Sequence, residues 1–231
     1  MKYKTVIFDL FGTLIEKFPL GEGNRVLGEM ASVLSVPPGD FTRMWFDTFD
    51  ERGLGVFRSV EDNILYICRK FGARPGDSQV KLAAKLDLEY YLRSLRPRPG
   101  AAEVLGNLKS RGCRTGLISN CGALMVKVWD KLPFAPFLDV AVFSCDVGVQ
   151  KPAPRIYQIA AQKLEAEPQD CLYIGDGDCR ELTGASQVGM HPVLIRNPDE
   201  DSADVHRVDF EGDEWDGPVI TSLTGVLALI P

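Results

Sequence analysis

Residues 5–14 read Thr5-Val-Ile-Phe-Asp-Leu-Phe-Gly-Thr-Leu14, a β-branched and aromatic run that ends at an aspartate and then a glycine. Such a run predicts a buried strand that stops in a loop. Similar apolar runs recur at 115–119, 140–144, 171–174 and 192–195. Amphipathic helical patterns lie at 101–111, 122–131, 154–164 and 180–188. This alternation predicts an α/β fold with a parallel sheet covered by helices on both faces, because parallel strands need crossover connections.

The stretch after the first strand breaks this alternation. Residues 16–98 contain no convincing strand, and their amphipathic patterns predict helices at 24–34, 41–51, 60–71 and 79–95. The tetrapeptide Pro97-Arg98-Pro99-Gly100 then marks the return to the alternating pattern. We therefore predict an α-helical domain at 16–98, inserted into a core domain made of residues 1–15 and 99–231.

The composition is that of an ordinary globular protein, with 231 residues, 45% hydrophobic and 25% charged, and a formal charge of −6. An acidic balance argues against binding to nucleic acid or to anionic membranes, since both demand a basic face. Nine of the 32 acidic residues fall in the segment 199–216, which we interpret as a solvated loop. The rest of the chain is slightly basic, which is compatible with a small anionic substrate.

The first residues of the chain and its cysteine pattern indicate the cellular compartment in which we expect the protein. No apolar run approaches the roughly 18 residues that span a bilayer, and the first residues lack a signal-peptide core. The six cysteines form no Cys-x-x-Cys pair, and the two histidines are far apart, so neither disulfides nor a zinc site is expected. These features predict a cytoplasmic protein with free thiols, as a monomer or a homodimer.

Polar side chains follow several of the predicted strands. In open α/β sheets, ligands bind beyond the carboxyl ends of the strands. Asp9, Ser119 and Asp176 each close a predicted strand, and Lys151 lies in the loop before a helix. We therefore expect these four side chains to converge on one small anion.

The reaction that suits this set is displacement by an aspartate, followed by hydrolysis of the covalent intermediate. If the reacting centre is phosphorus, clustered carboxylates would repel the substrate unless a hard cation intervenes. Mg²⁺ held by Asp9 and Asp176 would supply that cation. Further contacts to the phosphoryl oxygens are expected from the Ser119 hydroxyl, the Lys151 ammonium group, and the backbone N–H groups of Gly12 and Thr13.

The sequence resembles the haloacid dehalogenase superfamily in four motifs that stand in order. They are Asp9-Leu-Phe-Gly-Thr-Leu14, Leu117-Ile-Ser-Asn120, Lys151-Pro-Ala-Pro-Arg155 and Ile174-Gly-Asp-Gly-Asp-Cys-Arg-Glu181. The resemblance covers residues 1–15 and 99–196 and implies a Rossmann-like three-layer α/β/α core with a helical cap domain. It also implies that Asp9 is the nucleophile and that Mg²⁺ is bound by Asp9, Asp176 and the main-chain carbonyl of Phe11. Glu181 falls where the last motif commonly has a carboxylate, and could pair with Lys151.

One position departs from the phosphatases of this superfamily. Those enzymes have a second aspartate two residues after the nucleophile, where it protonates the leaving alcohol; here the residue is Phe11. Loss of a general acid-base costs about 10²–10⁴-fold in rate. We expect alkyl phosphates to be poor substrates. The hydrolysis rate of acyl phosphates should be reduced least, because their leaving group departs more easily without a proton.

The 2-haloacid dehalogenases of the same superfamily have an aromatic residue at this position, because a halide leaves without a proton. Asn120, Tyr157 and Arg43 also resemble residues of those enzymes, and Arg43 would receive the halide or the carboxylate. Dehalogenases use no metal, however, and Asp176 is typical of the metal-dependent members.

Three hypotheses follow from these features. The first is a Mg²⁺-dependent phosphatase acting on a small phosphorylated metabolite, which Asp176 favours. The second is a metal-independent 2-haloacid dehalogenase, which Phe11 favours. The third is a member with low turnover that binds an anion or a protein.

Overall fold

The computed structural model describes residues 3–196 and 213–230. Within them six strands form one sheet: β1 Thr5–Phe8, β2 Arg114–Ser119, β3 Val140–Phe143, β4 Cys171–Gly175, β5 His191–Ile195 and β6 Val219–Ile220. Their order is β3-β2-β1-β4-β5-β6, and every neighbouring pair is parallel. The predicted α/β class with a Rossmann-like parallel sheet is confirmed.

The helices occupy the sequence between the strands. Six lie between β1 and β2: α1 Leu20–Leu34, α2 Pro38–Asp47, α3 Phe49–Gly53, α4 Val60–Lys70, α5 Asp77–Ser94 and α6 Ala101–Ser110. The others are α7 Ala123–Val128, α8 Ser144–Val147, α9 Pro154–Lys163, α10 Glu181–Gln187 and α11 Val226–Leu229. Residues 16–98 are helical as predicted, except that the single helix predicted at 41–51 is divided at Thr48 into α2 and α3. The division into core and cap domains stays a prediction.

The central strand shows why helices cover both faces of the sheet. Side chains alternate along a strand, so Val6 and Phe8 point to one face and Ile7 to the other. Val6 and Phe8 belong to a hydrophobic cluster that includes residues of α6, α7 and α11. Ile7 belongs to a second cluster that includes residues of α9 and α10. The sheet is therefore the middle layer of three.

The strand order creates a crevice at one edge of the sheet. The chain runs outward from β1 to β2 and β3, and then crosses to the other side of β1 to form β4. The carboxyl ends of β2, β1 and β4 therefore lie side by side at the point where the strand order reverses. Ligands bind at such a point in open α/β sheets.

Helix α5 packs against α1 through a stripe of buried residues at helical spacing: Val80, Ala83, Ala84, Asp87, Tyr90, Tyr91 and Ser94. A stripe of this spacing is expected to be apolar. Asp87 is the charged member of the stripe, and it is only 8% exposed.

The two passages of chain that connect the helices 20–94 to the sheet lie next to each other. Ile15 forms an antiparallel bridge with Pro97. The N–H of Glu16 donates to the carbonyl of Arg96 at 2.9 Å, and the N–H of Arg98 donates to the carbonyl of Leu14 at 2.9 Å. The outgoing and returning chains are therefore joined by backbone hydrogen bonds.

The structure differs from the sequence-based prediction in further elements, and helix α11 was not predicted. Strand β6 was not predicted, because two residues are too few to show a period. Ser144, predicted as the end of a strand, begins α8 instead. Most of the acidic segment 199–216 lies outside the described residues. No described helix is long and apolar enough to cross a membrane, and all six cysteines are free.

Candidate active site

A buried ion pair stands at the centre of the crevice. Asp9 follows β1 and is 4% exposed, and Lys151 is equally buried. The Lys151 Nζ lies 2.5 Å from Asp9 Oδ1 and 2.6 Å from Glu181 Oε2. One ammonium group therefore bridges two carboxylates, which come from the ends of different elements.

Glu181 is the first residue of α10 and is fully buried. Its Oε2 also accepts a hydrogen bond from the Tyr173 hydroxyl at 2.7 Å, and its Oε1 accepts one from the N–H of Gly177 at 3.1 Å. Both carboxylate oxygens are therefore occupied within the protein. The predicted pairing of Glu181 with Lys151 is found in the structure.

Burial and charge shift the pKa values of this group. Burial raises the pKa of Glu181 well above its usual range, Asp9 raises it further, and Lys151 opposes the rise. Burial lowers the pKa of Lys151, but Asp9 and Glu181 outweigh burial and hold that pKa well above its ordinary value. Lys151 therefore stays protonated at neutral pH.

Asn120 holds the loop that carries Lys151. Its side-chain oxygen accepts from the N–H of Lys151 at 2.8 Å, and its side-chain nitrogen donates to the Lys151 carbonyl at 3.1 Å. Tyr157 has a similar role, since its hydroxyl donates to the Glu181 carbonyl at 2.9 Å. Asn120 therefore positions Lys151, and Tyr157 positions Glu181, in each case through a hydrogen bond to the backbone of the positioned residue.

A second carboxylate approaches Asp9 from the end of β4. One carboxylate oxygen from each of Asp9, Asp176 and Glu181 lies within 4.8 Å of the others. Asp9 Oδ2 is buried and has no hydrogen-bond partner among the described residues. Because hard divalent cations prefer carboxylate oxygens, Asp9 and Asp176 suit such an ion, whereas Glu181 is already engaged.

Gly12 allows this close approach. Its φ of +77° lies in the left-handed region, and a Cβ atom there would fall 2.2 Å from Asp176 Oδ2. A side chain at position 12 would therefore displace the Asp176 carboxylate from the loop that follows Asp9.

Two backbone N–H groups of this loop are bonded within the turn. The N–H of Gly12 donates to the Ile15 carbonyl at 3.0 Å, and the N–H of Thr13 donates to the Leu10 carbonyl at 3.3 Å. The anion contacts expected from these groups stay a prediction.

The hydroxyl groups of the site remain available. Ser119 and Thr13 are fully buried, and neither hydroxyl has a nitrogen or oxygen partner among the described residues. The Cys121 thiol lies beside Ser119. Because an unpaired buried hydroxyl is costly, a ligand that accepts a hydrogen bond from Ser119 would relieve that cost.

Phe11 separates the ion-pair network from a cavity under the helices. Its ring packs edge-on against Phe18 at 5.5 Å and against Tyr91 at 6.4 Å between centroids. The cavity has a volume of about 100 Å³. Aromatic rings form much of its wall: Phe11, Phe18, Trp45, Phe49, Tyr90 and Tyr91. The leaving part of a substrate that reacts at Asp9 would enter this space.

The structure does not bring Arg43 to this cavity. Its side chain is 64% exposed and pairs with Asp40 at 2.8 Å on the outer face of α2. The cavity instead contains Arg52 of α3, which the sequence analysis did not single out. Arg43 therefore does not line this cavity, whereas Arg52 does.

Four other residues near the network were also missed. Tyr173 contacts both Lys151 and Glu181. Lys17 lies 3.7 Å from Asp176 Oδ2, and buried Arg98 donates to the carbonyl of Gly12. Asp213 accepts from the N–H groups of Leu182 and Thr183 at 2.7 and 3.2 Å, and thus caps α10. This end of the acidic segment is therefore docked on the site rather than solvated.

The arrangement can perform nucleophilic substitution. Asp9 presents one carboxylate oxygen held by Lys151 and one without a hydrogen-bond partner among the described residues. The Lys151 ammonium group and the Asp176 carboxylate lie beside it, and Ser119 ends the neighbouring strand β2. An electrophile held there would be attacked by a buried, oriented carboxylate.

Residues 3–189 match the haloacid dehalogenase-like hydrolase family. The chain is 32% identical over 201 residues to a glyceraldehyde 3-phosphate phosphatase of Methanopyrus kandleri, with 84% of each chain covered. It is 27% identical to (S)-2-haloacid dehalogenase 4A of Burkholderia cepacia, over 85% of this chain and 86% of that one. The crystal structure of a 2-haloacid dehalogenase from Pseudomonas syringae gives a TM-score of 0.70 at 18% identity, with 99% and 98% covered. A likeness at that identity concerns the fold alone.

Proposed function

The chain belongs to the haloacid dehalogenase-like hydrolases, and from this membership we propose that it is a Mg²⁺-dependent phosphatase acting on a small phosphorylated metabolite. Asp9 is the nucleophile, and helices α1–α5 are the cap that closes over it. Phosphorylated three-carbon aldehydes are the first substrates to examine, because the Methanopyrus kandleri relative is named for glyceraldehyde 3-phosphate.

The observation that carries this proposal is the approach of Asp176 to Asp9. Two carboxylates would repel a phosphate ester, and the charge of Lys151 is already shared between Asp9 and Glu181. A divalent cation between Asp9 and Asp176 would remove this repulsion, and the Phe11 carbonyl is a further proposed ligand.

A basic groove beside the cavity supports an anionic substrate. It shares Ser59, Val60, Ala123 and Leu124 with the cavity wall. Four exposed basic side chains line it, Arg58, Lys81, Lys85 and Lys127, against a single acidic one, Glu61. A cleft lined mainly by one sign of charge raises the local concentration of the opposite ion.

The reaction proceeds in two steps on Asp9. The carboxylate attacks phosphorus, the bond from phosphorus to the leaving oxygen breaks, and an aspartyl phosphate forms. Water then attacks phosphorus, which releases phosphate and restores the carboxylate. Lys151 orients Asp9, and the Ser119 hydroxyl donates to a phosphoryl oxygen. Mg²⁺, when bound, would offset the negative charge on the phosphoryl group.

The test is a hydrolysis assay on a panel of phosphates that includes an acyl phosphate, with and without Mg²⁺. We expect phosphate release that a chelator abolishes and that added Mg²⁺ restores. Acyl phosphates should react faster than alkyl phosphates, because Phe11 has no proton to give. Absence of chelator-sensitive release across the whole panel would rule out this function.

The variant Phe11→Asp tests the role of the missing acid-base. We expect it to hydrolyse an alkyl phosphate at least about tenfold faster than Phe11→Asn, because only the carboxyl group can transfer a proton. Asn matches Asp in size, so both variants lose the same contacts with Phe18 and Tyr91. Equal rates would mean that position 11 is not aligned with the leaving oxygen.

The aromatic residue at position 11 favours a second candidate, a 2-haloacid dehalogenase. In that reaction Asp9 forms an ester with carbon, and water attacks the carboxyl carbon of Asp9. A single turnover in H₂¹⁸O would therefore place ¹⁸O in the peptide that contains Asp9. In the phosphatase reaction water attacks phosphorus, and the label would appear only in the released phosphate.

A further inference from the structure

Asp87 is a mostly buried carboxylate on the wall of the cavity, and it has no hydrogen-bond partner among the described residues. Only 8% of the residue is exposed, and it lines the cavity beside Phe11. No described residue donates a hydrogen bond to it or forms an ion pair with it within 4 Å. Burial raises the pKa of Asp87 to about 7, and the charge of Arg52 opposes that rise. A ligand in the cavity can therefore donate a hydrogen bond to this carboxylate.

Arg52 also lines the cavity, and part of its guanidinium group has no hydrogen-bond partner among the described residues. Its Nη1 donates to the carbonyl of Trp45 and to the Thr48 hydroxyl, and its guanidinium carbon lies 4.8 Å from the centre of the Trp45 ring. The Nε and Nη2 groups have no partner among the described residues. Burial lowers the pKa of Arg52 to about 10, which leaves it charged at neutral pH.

Tyr91 adds a third polar group, one helical turn from Asp87. Its residue is 9% exposed, and its hydroxyl has no hydrogen-bond partner among the described residues. Burial raises the pKa of this hydroxyl well above its usual value, so it remains a donor. Its ring also packs against Phe11, which lies two residues after the nucleophile Asp9.

We propose that Asp87, together with Arg52 and Tyr91, selects substrates whose leaving group is uncharged and carries hydroxyl groups. A hydroxyl both donates and accepts, so it can bond to Asp87 and to Arg52 or Tyr91 at once. An alkyl group would leave all three unsatisfied, which disfavours it. This inference rests on the proposed phosphatase function and names the class of substrate.

The charges of Asp87 and Arg52 and the size of the cavity restrict the class of substrate further. Above about pH 7 Asp87 is ionised and offsets the charge of Arg52, so at pH 8, where the binding measurements are made, the pair offers hydrogen bonds with little net attraction for a second anion. The cavity, of about 100 Å³, favours a small leaving group. The substrates are therefore phosphate monoesters of small polyols or hydroxyaldehydes, rather than bisphosphates or phosphorylated carboxylic acids.

Binding is measured by calorimetry in the Asp9→Asn background with Mg²⁺ present, so that no turnover occurs. The probes are glycerol 3-phosphate, n-propyl phosphate and 2-phosphoglycolate, which differ in hydroxyl content and charge. We expect glycerol 3-phosphate to bind at least about tenfold more tightly than n-propyl phosphate, since each unsatisfied buried group costs about 1–3 kcal/mol. Equal affinities, or no binding of either, would overturn the inference.

Substitutions of Asp87 then test whether this residue causes the preference for the hydroxylated ligand. In Asp87→Leu the preference for glycerol 3-phosphate over n-propyl phosphate should disappear. In Asp87→Asn the charge of Arg52 is no longer offset, so 2-phosphoglycolate should bind at least about fivefold more tightly than before. Both variants should fold, because each removes a carboxylate that burial destabilises.

The matched control is Glu103→Gln, which removes the same charge from an exposed position of α6. It should leave all three affinities unchanged. Unaltered selectivity in both Asp87 variants would overturn the inference even if the enzyme hydrolyses phosphates. A protein that binds hydroxylated phosphates as expected but never hydrolyses them would contradict the proposed function instead.

Discussion

The variant Asp9→Asn is expected to lose hydrolytic activity by about 10³-fold or more, as removal of a nucleophile does in other covalent mechanisms. An amide oxygen is a poor nucleophile, and the change adds no bulk. The amide oxygen can still accept the hydrogen bond that Lys151 gives to Asp9 Oδ1, so the fold should survive. Steady-state hydrolysis and circular dichroism measured together would check both expectations.

The control for this variant is Asp130→Asn, which removes a carboxylate from an exposed turn. It should keep full activity. If Asp9→Asn retained the activity of the unmodified protein, Asp9 would not be the nucleophile. A protein with no measurable hydrolysis on phosphates or haloacids before substitution would instead support the hypothesis of a low-turnover binding protein.

The variant Lys151→Met is expected to lose stability as well as activity. Without the ammonium group, the Asp9 and Glu181 carboxylates would face each other in a buried site with no cation between them. Removing one partner of a buried ion pair costs about 3–5 kcal/mol. For a chain of this length, that corresponds to a decrease of roughly 10 °C in the midpoint of thermal unfolding.

The same network predicts how this loss depends on pH. Burial and the charge of Asp9 already raise the pKa of Glu181, and removal of Lys151 would raise it further. A group whose folded pKa is raised destabilises the fold when pH exceeds its unfolded pKa. The deficit of Lys151→Met should therefore be smaller at pH 5 than at pH 8. Lys163→Met, at an exposed position of α9, should change the midpoint little at either pH.

The sequence predicted the ion-pair network because its members follow strand ends. Asp9, Ser119 and Asp176 each follow an apolar run, and the carboxyl ends of parallel strands must meet at one edge of the sheet. Lys151 was found by its motif. Tyr173 was missed because it lies within β4, where an aromatic residue is expected to pack in the core.

The residues of the cavity were harder to predict. Arg43 was chosen by its helix, but the face of α2 that carries it points to solvent. Asp87 could have been identified from the sequence, since it is a charged residue within a stripe at helical spacing on α5 that is otherwise mostly apolar. The position of Arg52 depends on how α3 packs against the core, which local periodicity does not encode.

The paired passages at Leu14–Glu16 and Arg96–Arg98 give the helices a single narrow neck. Two separated attachments would fix the helices in place, whereas two adjacent ones permit rotation about one axis. The wall of the cavity contributed by α1, α3 and α5 lies beyond this neck, and the wall contributed by Asn120–Leu124 lies before it. A rotation about this neck would leave the strand pairing unchanged, but it would break the hydrogen bond that Gln150 Nε2 donates to Asp50 Oδ1 of α3 at 2.9 Å.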